Sequence, residues 1–418
     1  MNKKVRVVLV GLGGYGQGYA AAALDHADDL GIELVGAVDP TPERCARADE
    51  VRAAVGRIEP TVGDFFADGS ADLAVIASPI QYHAPQTIAA LEAGAHVLCE
   101  KPAAGTIQDA IAMRAAADRA GLSVTIGYQW SFSDPVQRLR SDIAAGRFGA
   151  PKTLKVLAFW PRTAAYYGRS AWAGAIRSAD GSWILDSPMN NATAHYLQNC
   201  FFVLGDGGRP TAVQAALARV NPIENCDTTL LQVGTASGAD VVFLSTHAVP
   251  SNVGPVARYQ FEHADVLCES PGDFRVRYHG GRIEEYGSPE VTPAQKIAAV
   301  SAMISGGPPA AAGLESLARI GAGLPCTIGD AMAQTTAICG AHDSSPIVDA
   351  PSELVRTTRI GSDASSDLRW IEGLQAAMVQ CFDHGALPAD LGLVPWLPSG
   401  RRIDLTNYDC YPGPDACG

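Results

Sequence analysis

A largely apolar run from Val5 to Val10 leads directly into Gly11-Leu12-Gly13-Gly14-Tyr15-Gly16, and then into an alanine-rich stretch. This order places a G-x-G-x-x-G pattern where a first strand turns into a first helix. Three glycines at that turn have three separate uses: a tight bend, close backbone approach to a pyrophosphate, and close packing of helix on strand. The free N–H groups of the helix terminus favour an anion at the same place. Alone the pattern is weak evidence for a βαβ unit, and the rest of the chain decides it.

The next elements support that reading. Ile32 to Asp39 reads as a second buried strand ending in an acid, 23 residues beyond Gly16. A carboxylate there accepts the ribose hydroxyls of an adenosine and repels a 2′-phosphate. Its bland alternative is a cap for the helix starting near Thr41-Pro42-Glu43. Asp39 is followed by Pro40, with no Lys or Arg before Arg44, which points to NAD in preference to NADP.

With 418 residues, the chain is long enough for two to three domains at roughly 100–200 residues each. A net charge of −13 argues against nucleic acid or an anionic membrane as partner. No run approaches the ~20 apolar residues of a membrane-spanning helix. Asn2-Lys3-Lys4 before Val5 mimics a signal peptide, but the apolar run is short and breaks into glycines. Ten scattered cysteines without a C-x-x-C pair fit reduced thiols in a cytoplasmic protein, with a Cys410–Cys417 pairing left open. No His/Cys spacing suits a metal.

Strands and helices alternate up to about residue 127. Leu73 to Ala77, Ala95 to Cys99 and Leu122 to Ile126 read as strands, and His83 to Ala93 and Thr106 to Ala120 as helices. Continuous apolar strands indicate a parallel sheet covered on both faces, and right-handed crossovers make it doubly wound. The expected fold class is α/β: a Rossmann domain at 1–127, then a second α/β domain with an open, mainly antiparallel sheet. A linking helix occupies 128–150, the second domain 151–343, and an extension 344–418. A helix at 328–341 is expected to return to the first domain, and another near Leu368 to Phe382 lies in the extension. The strands of the second domain alternate in polarity, as in Thr229-Leu230-Leu231-Gln232-Val233, predicting one packed and one available sheet face. That face suggests a homodimer or homotetramer.

The strand Ala95 to Cys99 runs into Glu100-Lys101-Pro102, about 85 residues beyond the glycine turn. With this tripeptide, and with Ser78-Pro79 followed by His83, the sequence resembles the Gfo/Idh/MocA oxidoreductases from the glycine turn to about residue 350. The resemblance implies that Lys101 contacts both the nicotinamide ribose and a substrate hydroxyl. An ammonium there polarises an alkoxide or carbonyl during hydride transfer. The expected cofactor-binding residues are Gly11, Gly13, Tyr15, Gly16, Asp39, Ser78, His83, Glu100, Lys101 and Gln129.

The resemblance places the second half of the site between Gly181 and His195. Asp186 matches an aspartate of the family, but the histidine expected four residues later is Asn190. Asparagine does not exchange a proton near neutral pH. If Pro188 to about Leu204 is one regular helix, Asn191 and His195 lie about 40° apart on one face. His195 is therefore the expected proton-transfer group, with Lys101 and Asp186 as the other catalytic residues. Asn190 and Asn191 are expected to orient a substrate hydroxyl. Trp160, Arg162, Tyr166, Tyr167 and Trp172 combine aromatic faces with arginines, suiting a polyhydroxylated ring or its carboxylate. His247, at a strand end, is a further candidate.

The expected activity is NAD-dependent oxidation of a secondary hydroxyl of a sugar, cyclitol or sugar acid, or reduction of the ketone. The alternatives are an NAD-retaining lyase or hydrolase working through transient oxidation, and a non-catalytic dinucleotide-binding regulator.

Overall fold

The computed structural model describes residues 3–269, 272–307 and 325–412. Two compact units divide the chain. The first comprises 1–104, 109–138 and 289–332, and the second 105–108, 139–288 and 333–418.

In the first unit, β1 (Val5–Val10), α1 (Gly16–His26), β2 (Ile32–Val38), α2 (Ala48–Val55), β3 (Ile58–Glu59), α3 (Val62–Asp68), β4 (Leu73–Ile76), α4 (His83–Glu92), β5 (His96–Cys99), α5 (Ile107–Ala120) and β6 (Val124–Ile126) follow in order. All six strands are parallel, in the order β3-β2-β1-β4-β5-β6. The order reverses between β1 and β4, which opens a crevice at the carboxyl edge of the sheet. Both faces are covered: Val7, Val8, Leu73, Ala74, Val97 and Leu98 have no exposed surface.

A helix that the sequence reading passed over, Pro293–Ser305, joins this core through Ile297, Ala298 and Val300 beside Tyr19 and Ala23 of α1. Thr292 and Gln295 close a reciprocal capping box at its start. The helix expected to return to the first domain spans Ile328–Ser344, but the boundary between units falls inside it, after Met332. Its later residues pack in the second unit, where Gly340 leaves room for Leu405 and Val213.

In the second unit, β7 (Pro151–Phe159), β8 (Pro210–Arg219), β9 (Thr228–Thr235), β10 (Asp240–Thr246), β11 (Val253–Phe261), β12 (Ala264–Glu269), β13 (Phe274–Tyr278), β14 (Ile283–Gly287), β15 (Ile347–Asp349) and a short strand at Ile403–Asp404 form one mixed sheet. Pairing is antiparallel except for β7 with β10 and β8 with β15. The sheet differs from expectation in part: its second face stays exposed along β11 and β13, where Arg258, Gln260, Arg275 and Arg277 alternate with buried residues, but is covered over its central strands. Leu157, Phe159, Val242 and Leu244 lie under Leu374, Met378, Cys381 and Phe382 of the chain's own helix Leu374–His384. The helix expected from Leu368 begins later, because Asp367–Ile371 is a strand paired with Val355–Arg359.

Eight described cysteines are free and buried, and Cys410 is disulfide-bonded. Cys417 lies outside the described residues. No helix among the described residues is long and apolar enough to cross a membrane, and no cluster of three or more His, Cys, Asp or Glu residues there is placed to hold a metal.

Candidate functional site

In the first unit, Gly11 adopts φ +83°, and a Cβ on it would lie 2.8 Å from the Ser78 backbone nitrogen. A Cβ on Gly16 would lie 2.0 Å from the Gly11 carbonyl oxygen, so α1 starts directly against the turn. Around Gly14 there is open space, and Gly13 meets only the Arg44 side chain at 3.6 Å. One side of the loop is thus fixed by glycine and the other left clear, a cradle that fits a pyrophosphate.

Asp39 follows β2 beside this turn and is 9% exposed. Its carboxylate accepts the Leu12 N–H at 2.7 Å and the Thr41 N–H at 2.8 Å. Asp39 thus ties the glycine turn to the β2 terminus and organises the turn ahead of Pro42–Arg44.

Glu100 requires a correction. Rather than facing a cofactor, its carboxylate is 6% exposed and paired with the fully buried ammonium of Lys296. Tyr19 Oη donates to the same carboxylate at 2.6 Å, and the Lys101 N–H at 3.2 Å. Lys296 also donates to the Gly127 carbonyl at 3.3 Å and lies 4.6 Å from the Tyr15 ring centre. A Cβ on Gly127 would lie 2.5 Å from the Glu100 carboxylate, so glycine makes room for the pair. Lys296 is the residue that sequence reasoning missed. The available signal was a single charge in the otherwise uncharged Pro293–Ser305 segment.

His83 is corrected in the same way. It is 1% exposed, and its ring nitrogens lie 2.8 Å from the Pro102 and Ser78 carbonyl oxygens. It clasps the segment after β4 to the segment after β5; burial lowers its pKa against the pull of both carbonyls. Ser78 Oγ donates to Gln86 at 2.5 Å. Gln129 and Trp130 both donate to Glu290, at 2.8 and 3.1 Å. Tyr15 is 45% exposed, and Lys101 is half-buried.

In the second unit, the segment after Asp186 is not a regular helix. Pro188–Ala192 is a π-helical turn capped by Ser187, Thr193 is non-helical, and an α-helix runs from Ala194–Val203. The expected phase between Asn191 and His195 is therefore lost. His195 is half-buried in the first turn of the second helix. Asn190 is also corrected: it is 1% exposed, and its amide donates to the Ile184 and Leu185 carbonyls, each at 3.2 Å. Leu185 has φ +51°, and Asn190 braces that unusual backbone rather than a substrate. Asn191 instead donates to Asp186 Oδ1 at 2.8 Å, while the Gly174 N–H donates to Oδ2 at 2.6 Å.

The Gly174 bond ties the Trp160–Trp172 segment to Asp186. Arg162 lies over the rings of Trp160 and Tyr166, and Arg169 over Tyr166 and Trp172. Tyr167 Oη and His247 Nδ1 are 3.0 Å apart. Burial, then the charges of Arg162 and Arg169, hold His247 well below its ordinary pKa, leaving it neutral. Burial and then Asp186 raise the pKa of Tyr166. Of the residues expected at the site, Tyr166 and Tyr167 thus lie against His247, with the charge of Arg162 close by.

The glycine cradle, the carboxylate after β2 and the sheet order define a dinucleotide-binding Rossmann unit. Residues 5–128 match the oxidoreductase family with an NAD-binding Rossmann fold known as Gfo/Idh/MocA. The match lies within the N-terminal region of the chain. The chain is 36% identical over 143 residues to 1-carboxy-3-chloro-3,4-dihydroxycyclohexa-1,5-diene dehydrogenase of Comamonas testosteroni, covering 34% of this chain and 35% of that protein. It is 32% identical over 178 residues to 1,5-anhydro-D-fructose reductase of Ensifer adhaerens, covering 42% and 50%. The chain therefore spans between about a third and a half of the length of these curated relatives. Over 81% of its length it superimposes on 97% of the WlbA dehydrogenase from Bordetella pertussis, solved with NADH and UDP-GlcNAcA, at TM-score 0.62 and 25% identity.

Proposed function

We propose that the chain is an NAD-dependent oxidoreductase acting on a secondary hydroxyl, or the corresponding ketone, of a polyhydroxylated substrate. The observation that carries this is the glycine cradle held by Asp39, together with Lys101 immediately after β5 in the same parallel sheet. NAD, when bound, supplies the hydride acceptor. Gly11, Gly13 and Gly16 hold its phosphates by backbone N–H groups and the α1 terminus, and Asp39 takes its ribose hydroxyls. Lys101 polarises the reacting oxygen with its ammonium. Asp186 keeps the substrate segment in place through Gly174 and Asn191. His247 is buried and neutral, and with His195 is a candidate to take the hydroxyl proton.

The eight buried free thiols favour a reducing, cytoplasmic setting, against which the disulfide at Cys410 counts. A homodimer or homotetramer remains part of the proposal; sedimentation velocity tests that. The test of activity is NADH formation, followed by its absorbance, across a panel of polyols and sugar acids, with bound nucleotide identified first. Turnover that vanishes in Lys101→Met supports the reading. Failure to bind NADH overturns it. Tightly retained NAD that is never released during turnover favours the lyase or hydrolase reading, which the absence of an acid/base at Asn190 keeps open.

A further inference from the structure

We propose that Arg162 and Arg169 form a subsite for the carboxylate of the substrate, so that the enzyme acts on a polyhydroxy acid rather than a neutral polyol; this rests on the oxidoreductase reading above. Several arginines elsewhere in the described structure are paired with carboxylates, as Arg47 is with Asp25, Arg219 with Asp349 and Arg359 with Asp367. Among the described residues, Arg162 and Arg169 have no carboxylate partner. They are stacked on aromatic rings instead, Arg162 4.8 Å and Arg169 3.7 Å from the centre of Tyr166. Stacking occupies the face of a guanidinium; Arg169 Nη1 also donates to the Tyr166 carbonyl at 2.5 Å, and the remaining in-plane N–H groups are placed to meet a planar anion.

Two further atoms point the same way. Arg162 Nε is buried without a hydrogen-bond partner, and so is Nε2 of His247, a residue only 2% exposed. Buried polar atoms left unpaired are costly, and an anion that brings acceptors removes part of that cost. Asp186, a carboxylate tied to this segment, accepts from Gly174 and Asn191. The guanidinium charge is therefore left for a ligand. The aromatic faces of Trp160 and Trp172 alongside suit the C–H face of a sugar chain or ring.

Isothermal titration calorimetry on the full chain tests this with matched pairs: D-gluconate against D-glucitol, and D-glucuronate against D-glucose, with D-glucose 6-phosphate as the phosphate arm. The expected result is that at least one acid binds about tenfold or more tightly than its neutral counterpart, from charge-assisted bonds. Arg169→Met, at an exposed position where folding is little affected, and Arg162→Met remove that preference; Arg169→Lys restores only part of it. Three results overturn the proposal: no acid binding better than its neutral partner, an acid preference unchanged in both variants, or glucose 6-phosphate binding more tightly than either acid. NADH binding, followed by its fluorescence, separates the two levels. If NADH binds and neutral polyols turn over equally well, only the carboxylate subsite falls; if NADH does not bind, the underlying activity falls.

Discussion

The ammonium of Lys296 is buried against the carboxylate of Glu100, 196 residues away in sequence and directly before Lys101. Glu100 in turn accepts the Lys101 N–H. Lys296→Met leaves a buried carboxylate unpaired, which costs about 3–5 kcal/mol. Urea unfolding should show that loss, and Glu100→Gln in the same chain should recover part of it. A Lys296→Met protein as stable as the wild type contradicts this role.

Asp39 holds the Leu12 N–H of the glycine turn. Bonds to a charged group are worth about 1.5–3 kcal/mol, so Asp39→Ala should weaken NADH binding about 10- to 100-fold. Fluorescence titration measures the change, and NADPH should lose less affinity than NADH because the repelling charge is gone.

Placing a histidine at position 190, where the family resemblance expects one, should not create an acid/base. Asn190 is buried and spends its amide on two carbonyls that brace Leu185. Asn190→His is expected to cost about 1–3 kcal/mol through overpacking and lost bonds. The measurements are thermal midpoint and turnover; a more active protein of unchanged midpoint speaks against the structural role.

Stability should fall on acidification below about pH 6.5, the ordinary histidine value. Burial lowers the pKa of His342 to about 4. Between those values the unfolded chain binds a proton that the folded chain does not, so stability drops as pH falls, by up to about 1.4 kcal/mol per pH unit for this group. His247, also lowered by burial, acts in the same direction. Denaturation at a series of pH values should show a shallower decline in His342→Phe; an unchanged slope excludes the contribution of His342.

Met378 lies fully buried between the Leu374–His384 helix and the sheet. Met378→Asp should cost roughly 2–5 kcal/mol or more by emptying that contact and burying a charge. Lifting the helix exposes an apolar sheet face, so light scattering should report aggregation. A soluble variant of native stability contradicts the covering role.

The first unit was legible in the sequence because its signals are local. A strand, a glycine turn, a helix and an acid occur in order within Val5 to Asp39, and each depends on near neighbours in the chain. The aromatic and arginine segment from Trp160 to Trp172 was likewise visible as a cluster. The helical phase of His195 was not, because Pro188–Ala192 winds as a π turn that no spacing rule marks.

What only the tertiary structure decided are the partners of buried polar groups and the cover of the second sheet. Glu100 looked like a cofactor ligand until Lys296 came to it from a distant helix. Asn190 looked like a substrate ligand until its amide met the Leu185 backbone. Alternation along β9 reported one half-polar strand but not which distant helix would lie across its sheet. A residue type determines what a side chain is able to bond, whereas burial and long-range packing determine which of those bonds it makes.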